Sequence, residues 1–237
     1  MAKQTGEMTA FTGFTRQGLD FLDGLAAHND KTWFDANRSG FDEGLMEPGK
    51  AFIVALGDVL NARVGPGIHA EPRVNGSIFR INRDTRFSAD KTPYKTHFDM
   101  FLWQGEGRSR ECPGYYLRIT PETVHLGAGM HGFPKPMLVA YRDAVVNPKR
   151  GPRLVEITSE LEKRKGVSLP EPHYARLPRG YEAAGEQAVL LRMSGMHAGG
   201  AFKLPKALGS AKFVGWCADR LEPFAPLQRW LVEALRP

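Results

Sequence analysis

From Thr15 onward, Leu19, Leu22 and Leu25 recur three residues apart with Phe21 beside them, which is the stripe of an amphipathic helix. His28, Asn29 and Asp30 break the stripe, and Asn29 or Asp30 can cap a second, short helix carrying Trp33 and Phe34. Pro48 suits the first turn of a third helix with Phe52, Leu56, Val59 and Leu60 on one face, and Gly65-Pro66-Gly67 ends it. Residues 1–12, ahead of all this, read as a loose lead-in.

The period changes near residue 74. Segments 77–84, 97–104, 114–120 and 123–130 are short, rich in β-branched and aromatic residues, and separated by turn clusters. Pro121 and Glu122 leave room only for a hairpin between the last two, and no crossover helix interrupts the last three, so the pairing predicted is antiparallel. Helical spacing returns after Pro134 and Pro136 with Met137, Leu138, Tyr141 and Val145, and again with Leu154, Ile157 and Leu161. Residues 170–181, with Pro170, Pro172 and Pro178, read as an ordered surface loop, and Gln187–Met193 fits helix or strand. The tail predicts helices over Lys212–Leu221 and Pro226–Leu235, split by Pro223, with Trp216, Phe224, Trp230, Leu231 and Leu235 turned to the core. Helices, then strands, then helices describe an α+β fold with a central antiparallel sheet of about four strands, flanked by N-terminal and C-terminal helices. A single domain over residues 1–237 is expected, with a helical start at 14–64, the sheet at 74–131 and a helical remainder at 134–236.

Composition narrows the class. Hydrophobic residues at 42% and charged residues at 24% of 237 are ordinary for a folded protein. The best apolar stretch, beginning at Ala51, meets Asp58 well before the ~20 residues a membrane helix needs. The N-terminal segment has an acid, Glu7, and no apolar run, so a secretory signal is not expected and a soluble, cytoplasmic protein is. Cys112 and Cys217 form no CxxC pair, which argues against a cysteine zinc site or a disulfide scaffold.

The net charge of +6 is modest, but its placement is uneven. Arg73, Arg80, Arg83, Arg86, Lys91 and Lys95 face only Asp84 and Asp90 over residues 73–97. In an extended strand, Arg80 and Arg86 would stand ~20 Å apart, so they converge on one small anion only if the chain bends near Thr85. Guanidinium groups ~7 Å apart repel by roughly 2 kcal/mol at an effective dielectric near 20, so clustering them asks for carboxylates or a bound anion. Their planar fork suits phosphate or carboxylate. The candidate ligand-binding set is Arg80, Arg83, Asp84, Arg86, Lys91, Tyr94 and Lys95, with Asp84 orienting the guanidinium groups. The competing reading has Asp84 and Asp90 neutralise the arginines and pin a long loop to the sheet.

The run Arg80-x-x-Arg83-Asp84-x-Arg86-Phe87-x-x-x-Lys91-x-x-Tyr94 matches at every fixed position the motif RxxRDxRFxxxKxxY. In this it resembles an uncharacterised bacterial family of similar length, domain of unknown function 2461. Asn29 to Phe34 resembles that family's Asn-rich Trp-Phe segment, with Asp30 where a second Asn is common. Tyr116-Leu117 and Leu177-Pro178-Arg179-Gly180-Tyr181 look like its later landmarks. The resemblance covers nearly the whole chain. It implies one α+β domain and no particular activity or cofactor.

Other chemistry is weaker. His97, Asp99, His125 and His131 would approach a metal only if their strands were neighbours, and their spacing is no ligand signature, so no metal is expected. Gly127, Gly129 and Gly132 fit a turn better than a phosphate cradle, and Ser77, Ser88 and Ser194 sit in no nucleophile elbow. Lys91 and Tyr94 could form an acid/base pair, but Tyr94 packing on Phe87 is the preferred reading. Three functions are ranked in order. The first is a receptor or enzyme for a small phosphate- or carboxylate-bearing ligand. The second is a nucleic-acid-binding module, disfavoured because Phe79 and Phe87 are expected to be buried. The third is an interaction protein using the motif as scaffold.

Overall fold

A computed structural model describes residues 10–236. The first helix, α1 (Arg16–Ala27), opens on Thr15, whose hydroxyl accepts from the Gly18 amide, and buries Leu19, Phe21, Leu22 and Leu25 as the stripe predicts. Asp30 caps α2 (Lys31–Ala36) by accepting from the Trp33 amide, so of the two cap candidates Asp30 holds the helix. Asn29 is left for another task. A short helix α3 (Arg38–Phe41) and a π-helical turn (Asp42–Met46) run directly into α4 (Glu47–Val64), which places Pro48 in its first turn and ends at Gly65. The expected lead-in lies largely outside the described residues, but Phe11 is already buried against Phe14 and Phe52.

The sheet has six strands, not four, in the order β1-β2-β3-β4-β6-β5, and every pairing is antiparallel. Their ranges are β1 (Ile68–His69), β2 (Phe98–Gln104), β3 (Gly114–Ile119), β4 (Thr123–Met130), β5 (Val167–Ser168) and β6 (Met196–Lys203). The expected strand at 77–84 is a correction. The Phe79 amide donates to Asp99 and the Phe101 amide to Ser77, so the chain follows β2 only briefly. It then turns to pair Asn82 with Tyr94 in an isolated bridge. Asn82 and Asp84, polar on what would be the outer face, gain nothing from staying in the sheet. The glycine-rich run is corrected too, because Gly127 and Gly129 lie inside β4. Gly129 has φ +122°, and a Cβ there would meet the Met196 carbonyl oxygen at 2.3 Å, so only glycine fits.

One face of the sheet carries Phe98, Met100, Leu102, Leu117, Ile119, Val124, Leu126 and Met130, all buried. Helix α4, together with α8 (Lys212–Leu221) and α9 (Ala225–Ala234), covers that face along β2 and β4. A 3-10 turn at Glu222–Phe224 makes the predicted break at Pro223, and the tail aromatics join the core. Helices α5 (Lys135–Val146) and α6 (Arg150–Glu162) pack on each other, and α7 (Gly185–Leu190) makes the first part of the ambiguous segment helix, with residues 191–193 in the turn that follows. No helix among the described residues is long and apolar enough to cross a membrane. The opposite face of the sheet is left open, and it positions the site.

Candidate functional site

The basic motif folds into a loop whose neck is closed by two backbone bonds, from the Arg83 amide to Pro93 and from the Lys95 amide to Ile81, both 2.8 Å. The bend expected near Thr85 is present as a turn in which the Ser88 amide reaches the Thr85 carbonyl. Inside the loop, most of the cations are spoken for. The Arg83 guanidinium binds Asp90 and Thr92 across the loop, and Arg86 grips Asp84 with Nε at 2.9 Å and an NH2 nitrogen at 2.7 Å. Lys91 donates from Nζ to the Thr85 carbonyl at 2.9 Å. These bonds hold both carboxyls below their ordinary range, Asp84 at about 2 through Arg86 and Asp90 at about 2 through Arg83. The free cluster of guanidinium groups expected from the sequence is therefore replaced, at Arg83 and Arg86, by local ion pairs.

Tyr94 is a structural residue. It is buried, and its ring stacks on Phe34 at 4.4 Å between centroids with 15° between planes. The Asn29 side chain donates to the Tyr94 carbonyl and accepts from its amide, both at 3.0 Å. The two segments that carry the family resemblance thus meet face to face. The expected contact between Tyr94 and Phe87 is overturned, since Phe87 stands 94% exposed at the loop tip with Arg86 over its ring. Phe79 is half-buried, against Phe101.

Strand register lays the open face out in rows. Asp99 pairs with Arg118, Arg118 with His125 and His125 with Ala201. The next row runs Phe101, Tyr116, Gly127, Gly199 and Ser168, and the third Trp103, Gly114, Gly129 and His197. In the first row Asp99 is a buried hub. Its carboxylate accepts from Arg118 Nε at 2.7 Å and the Tyr116 hydroxyl at 3.1 Å, with His97 Nε2 at 3.2 Å and Lys95 Nζ at 3.6 Å. Burial opposes its ionisation, but the bonds from His97 and Arg118 prevail and hold it well below the carboxylate range. Burial likewise raises the Tyr116 hydroxyl, and the Asp99 charge adds to that, so Tyr116 stays a neutral donor. His125, bonded through Nε2 to the Thr123 hydroxyl at 2.9 Å, is pushed down by burial and by Arg118.

These rows floor a cavity of about 880 Å³, within the ~300–1,000 Å³ of small-molecule sites. Beside it lies a recess of about 450 Å³ lined by Arg80, Arg83, Arg86, Lys95 and Arg110 against the single carboxylate of Asp84. Phe79 and Arg110 line both, so the two hollows adjoin. Among the described residues, neither Arg80 nor Arg110 makes an ion pair or a side-chain hydrogen bond. His97 and Asp99 touch, but His131 lies beside His197 with ring centroids 5.2 Å apart, so the four residues considered as metal ligands do not gather. Among the described residues, no three His, Cys, Asp or Glu side chains are placed to hold a metal ion. Cys112 and Cys217 are both buried free thiols, each raised by burial.

Arg110, Arg118 and His197 escape a reading of single motifs, and Tyr116 enters only as a landmark of the family resemblance, with no place in the site. The available signal is phase, because Tyr116 and Arg118 alternate with Tyr115, Leu117 and Ile119 on β3. A search of curated proteins finds no match. The match to a family model extends over residues 17–230, from the first helix into the last, and the chain belongs to the family described as Conserved hypothetical protein (DUF2461).

Proposed function

We propose that the protein binds a small phosphate- or carboxylate-bearing ligand in the basic recess. Arg80, Arg110 and Lys95 make the contact, while Arg83, Asp84, Arg86, Lys91 and Tyr94 shape and anchor the loop that presents them. The observation that carries this is selective pairing. Arg83 and Arg86 each have an acid of their own, yet Arg80 and Arg110 line the same recess with none. The Arg80 and Arg110 side chains are both exposed, so water screens their mutual repulsion, and an anion in the hollow would gain two unpaired guanidinium partners. Lys95 shares Asp99 with Arg118, which leaves that corner cationic as well.

A charge-assisted hydrogen bond contributes about 1.5–3 kcal/mol, so Arg80→Ala or Arg110→Ala is expected to weaken binding roughly 10- to 100-fold. The check is a thermal-shift and calorimetry series with phosphate, pyrophosphate, sulfate and citrate. At about 100 times Kd, a ligand adds about 2.7 kcal/mol, which raises the melting temperature by ~5–10 °C for a chain of this size. Arg86→Ala should keep most of that shift. No shift from any of these anions, or a full shift in the Arg80→Ala/Arg110→Ala variant, overturns the proposal.

One observation favours a second reading, nucleic-acid binding. Phe87 is exposed at the tip of a basic loop, where a base could stack. That reading requires affinity for single strands that falls steeply with salt and is lost in Phe87→Ala.

A further inference from the structure

We infer that the cavity on the open sheet face receives a flat aromatic or heteroaromatic ring, so that the ligand is a planar aromatic anion whose charge sits in the adjoining basic recess. This rests on the anion-binding reading above and names the class of molecule it admits.

The first support is shape. Gly127 and Gly199 are cross-strand partners in the second row, and Gly129 follows in the third, so no side chain rises from the middle of the floor. Neighbouring strands lie ~4.8 Å apart and successive outward positions on one strand ~6.7 Å apart, which bares a flat patch about the size of one or two fused rings. Side chains stand around that patch. Phe101 and Tyr116 flank it on one side, His125 and Ala201 close one end, and His197 closes the other. Aromatic walls favour an aromatic guest through edge and offset contacts.

The second support is polar chemistry. The His197 Nδ1 atom is buried and has no hydrogen-bond partner. A buried imidazole nitrogen without a partner is costly, and His197 itself lines this cavity, so a turn of its ring is what would bring Nδ1 to a polar group of a guest. Burial lowers both His125 and His197, which favours the neutral imidazoles, and with His125 Nε2 already on the Thr123 hydroxyl its Nδ1 is the nitrogen left for a guest. Charge is complementary as well. Arg110 and Arg118 border the cavity, Arg110 lines the recess as well, and Asp99, the acid paired with Arg118, is already taken up by Arg118, Tyr116 and His97. An anionic tail leaving the patch past Phe79 reaches Arg110 and Arg80.

The test compares molecules of equal charge with and without an aromatic ring. Adenosine 5′-monophosphate is set against ribose 5-phosphate, phenyl phosphate against methyl phosphate, and benzoate against cyclohexanecarboxylate, by calorimetry on the full chain. The aromatic member of each pair that binds should bind at least tenfold more tightly. Ala201→Phe fills the cavity from an exposed position and should erase that preference while leaving methyl phosphate unchanged. Phe101→Ala, which removes a wall without adding bulk, should reduce it in the same direction and guards against misfolding of the first variant. Equal affinities within every pair overturn the inference and leave the recess reading standing. A ring preference that survives both variants also overturns it, because the ring then lies elsewhere. No binding of any member overturns both readings. A dimer in solution that Ala201→Phe disrupts, without ring preference, assigns the face to a second copy of the chain and overturns the inference too.

Discussion

Replacing Asp99 with Asn is expected to lower the free energy of unfolding by about 3 kcal/mol and the melting temperature by ~6–12 °C. The carboxylate is buried, and Arg118, Tyr116, His97 and Lys95 all point at it. An amide keeps the shape but gives up the charge, leaving two permanent cations beside a neutral group that turns one of its own donors toward them. The figure sits at the lower end for a broken buried pair because Arg118 is about a third exposed and water partly screens it. The pH dependence supplies a second check. The folded-state pKa of Asp99 lies below its unfolded value near ~3.9, so its contribution is complete above that pH and is lost as pH falls through the folded value. The gap between wild type and variant should thus narrow steadily below about pH 4. Asp84 and Asp90, lowered to about 2, lose their contributions over the same acid window in both proteins. Urea unfolding at pH 7, 4 and 3 measures this, and a gap that widens in acid would show that the hub acts by some other means.

The reach of the sequence can be judged on particular residues. Leu19, Leu22 and Leu25 announce α1 because burial on one face imposes the helical period, and β2 to β4 announce themselves as short runs rich in β-branched and aromatic residues between turn clusters. Strand β6 goes unseen because its centre is Ala198-Gly199-Gly200-Ala201, small residues of weak strand preference whose place is fixed by pairing with β4. Strands β1 and β5 have two residues each, too few to carry any period. The segment 77–84 misleads because its outward residues belong to a loop that bonds to itself. The candidate site divides along the same line. The basic loop is contiguous in the chain and legible, although its internal pairing is not. The cavity is assembled from residues on five paired strands, so its existence depends on register, and register is a property of the whole sheet.

Within the basic loop, the side chains that tie the loop to itself or to the helices outnumber those that line the recess unpaired. Arg83 ties the two sides of the loop together, Lys91 ties its own side chain to the turn, and Tyr94 fastens the exit to the helices. Phe87 faces water at the loop tip, with only the Arg86 guanidinium over its ring.

Tyr94→Ala is accordingly expected to cost about 3–4 kcal/mol, as the loss of a buried aromatic generally does, and to free the loop. The stack on Phe34 disappears, and the Asn29 side chain, which holds the Tyr94 backbone from both its amide and its carbonyl, is left clamping a strand end without its neighbour. Asn29→Ala alone should cost about 1–3 kcal/mol, and the two changes together less than their sum, because both act on one anchor. Tyr94→Phe separates packing from chemistry. The Tyr94 hydroxyl makes no hydrogen bond among the described residues, so removing it should alter stability by no more than ~0.5 kcal/mol and leave anion binding intact. If Tyr94 served instead as one half of an acid/base pair with Lys91, Tyr94→Phe would abolish function while the fold stood unchanged. Chymotrypsin cleavage after Phe87 reads the anchoring directly, and it should be slow in wild type and Tyr94→Phe and at least tenfold faster in Tyr94→Ala.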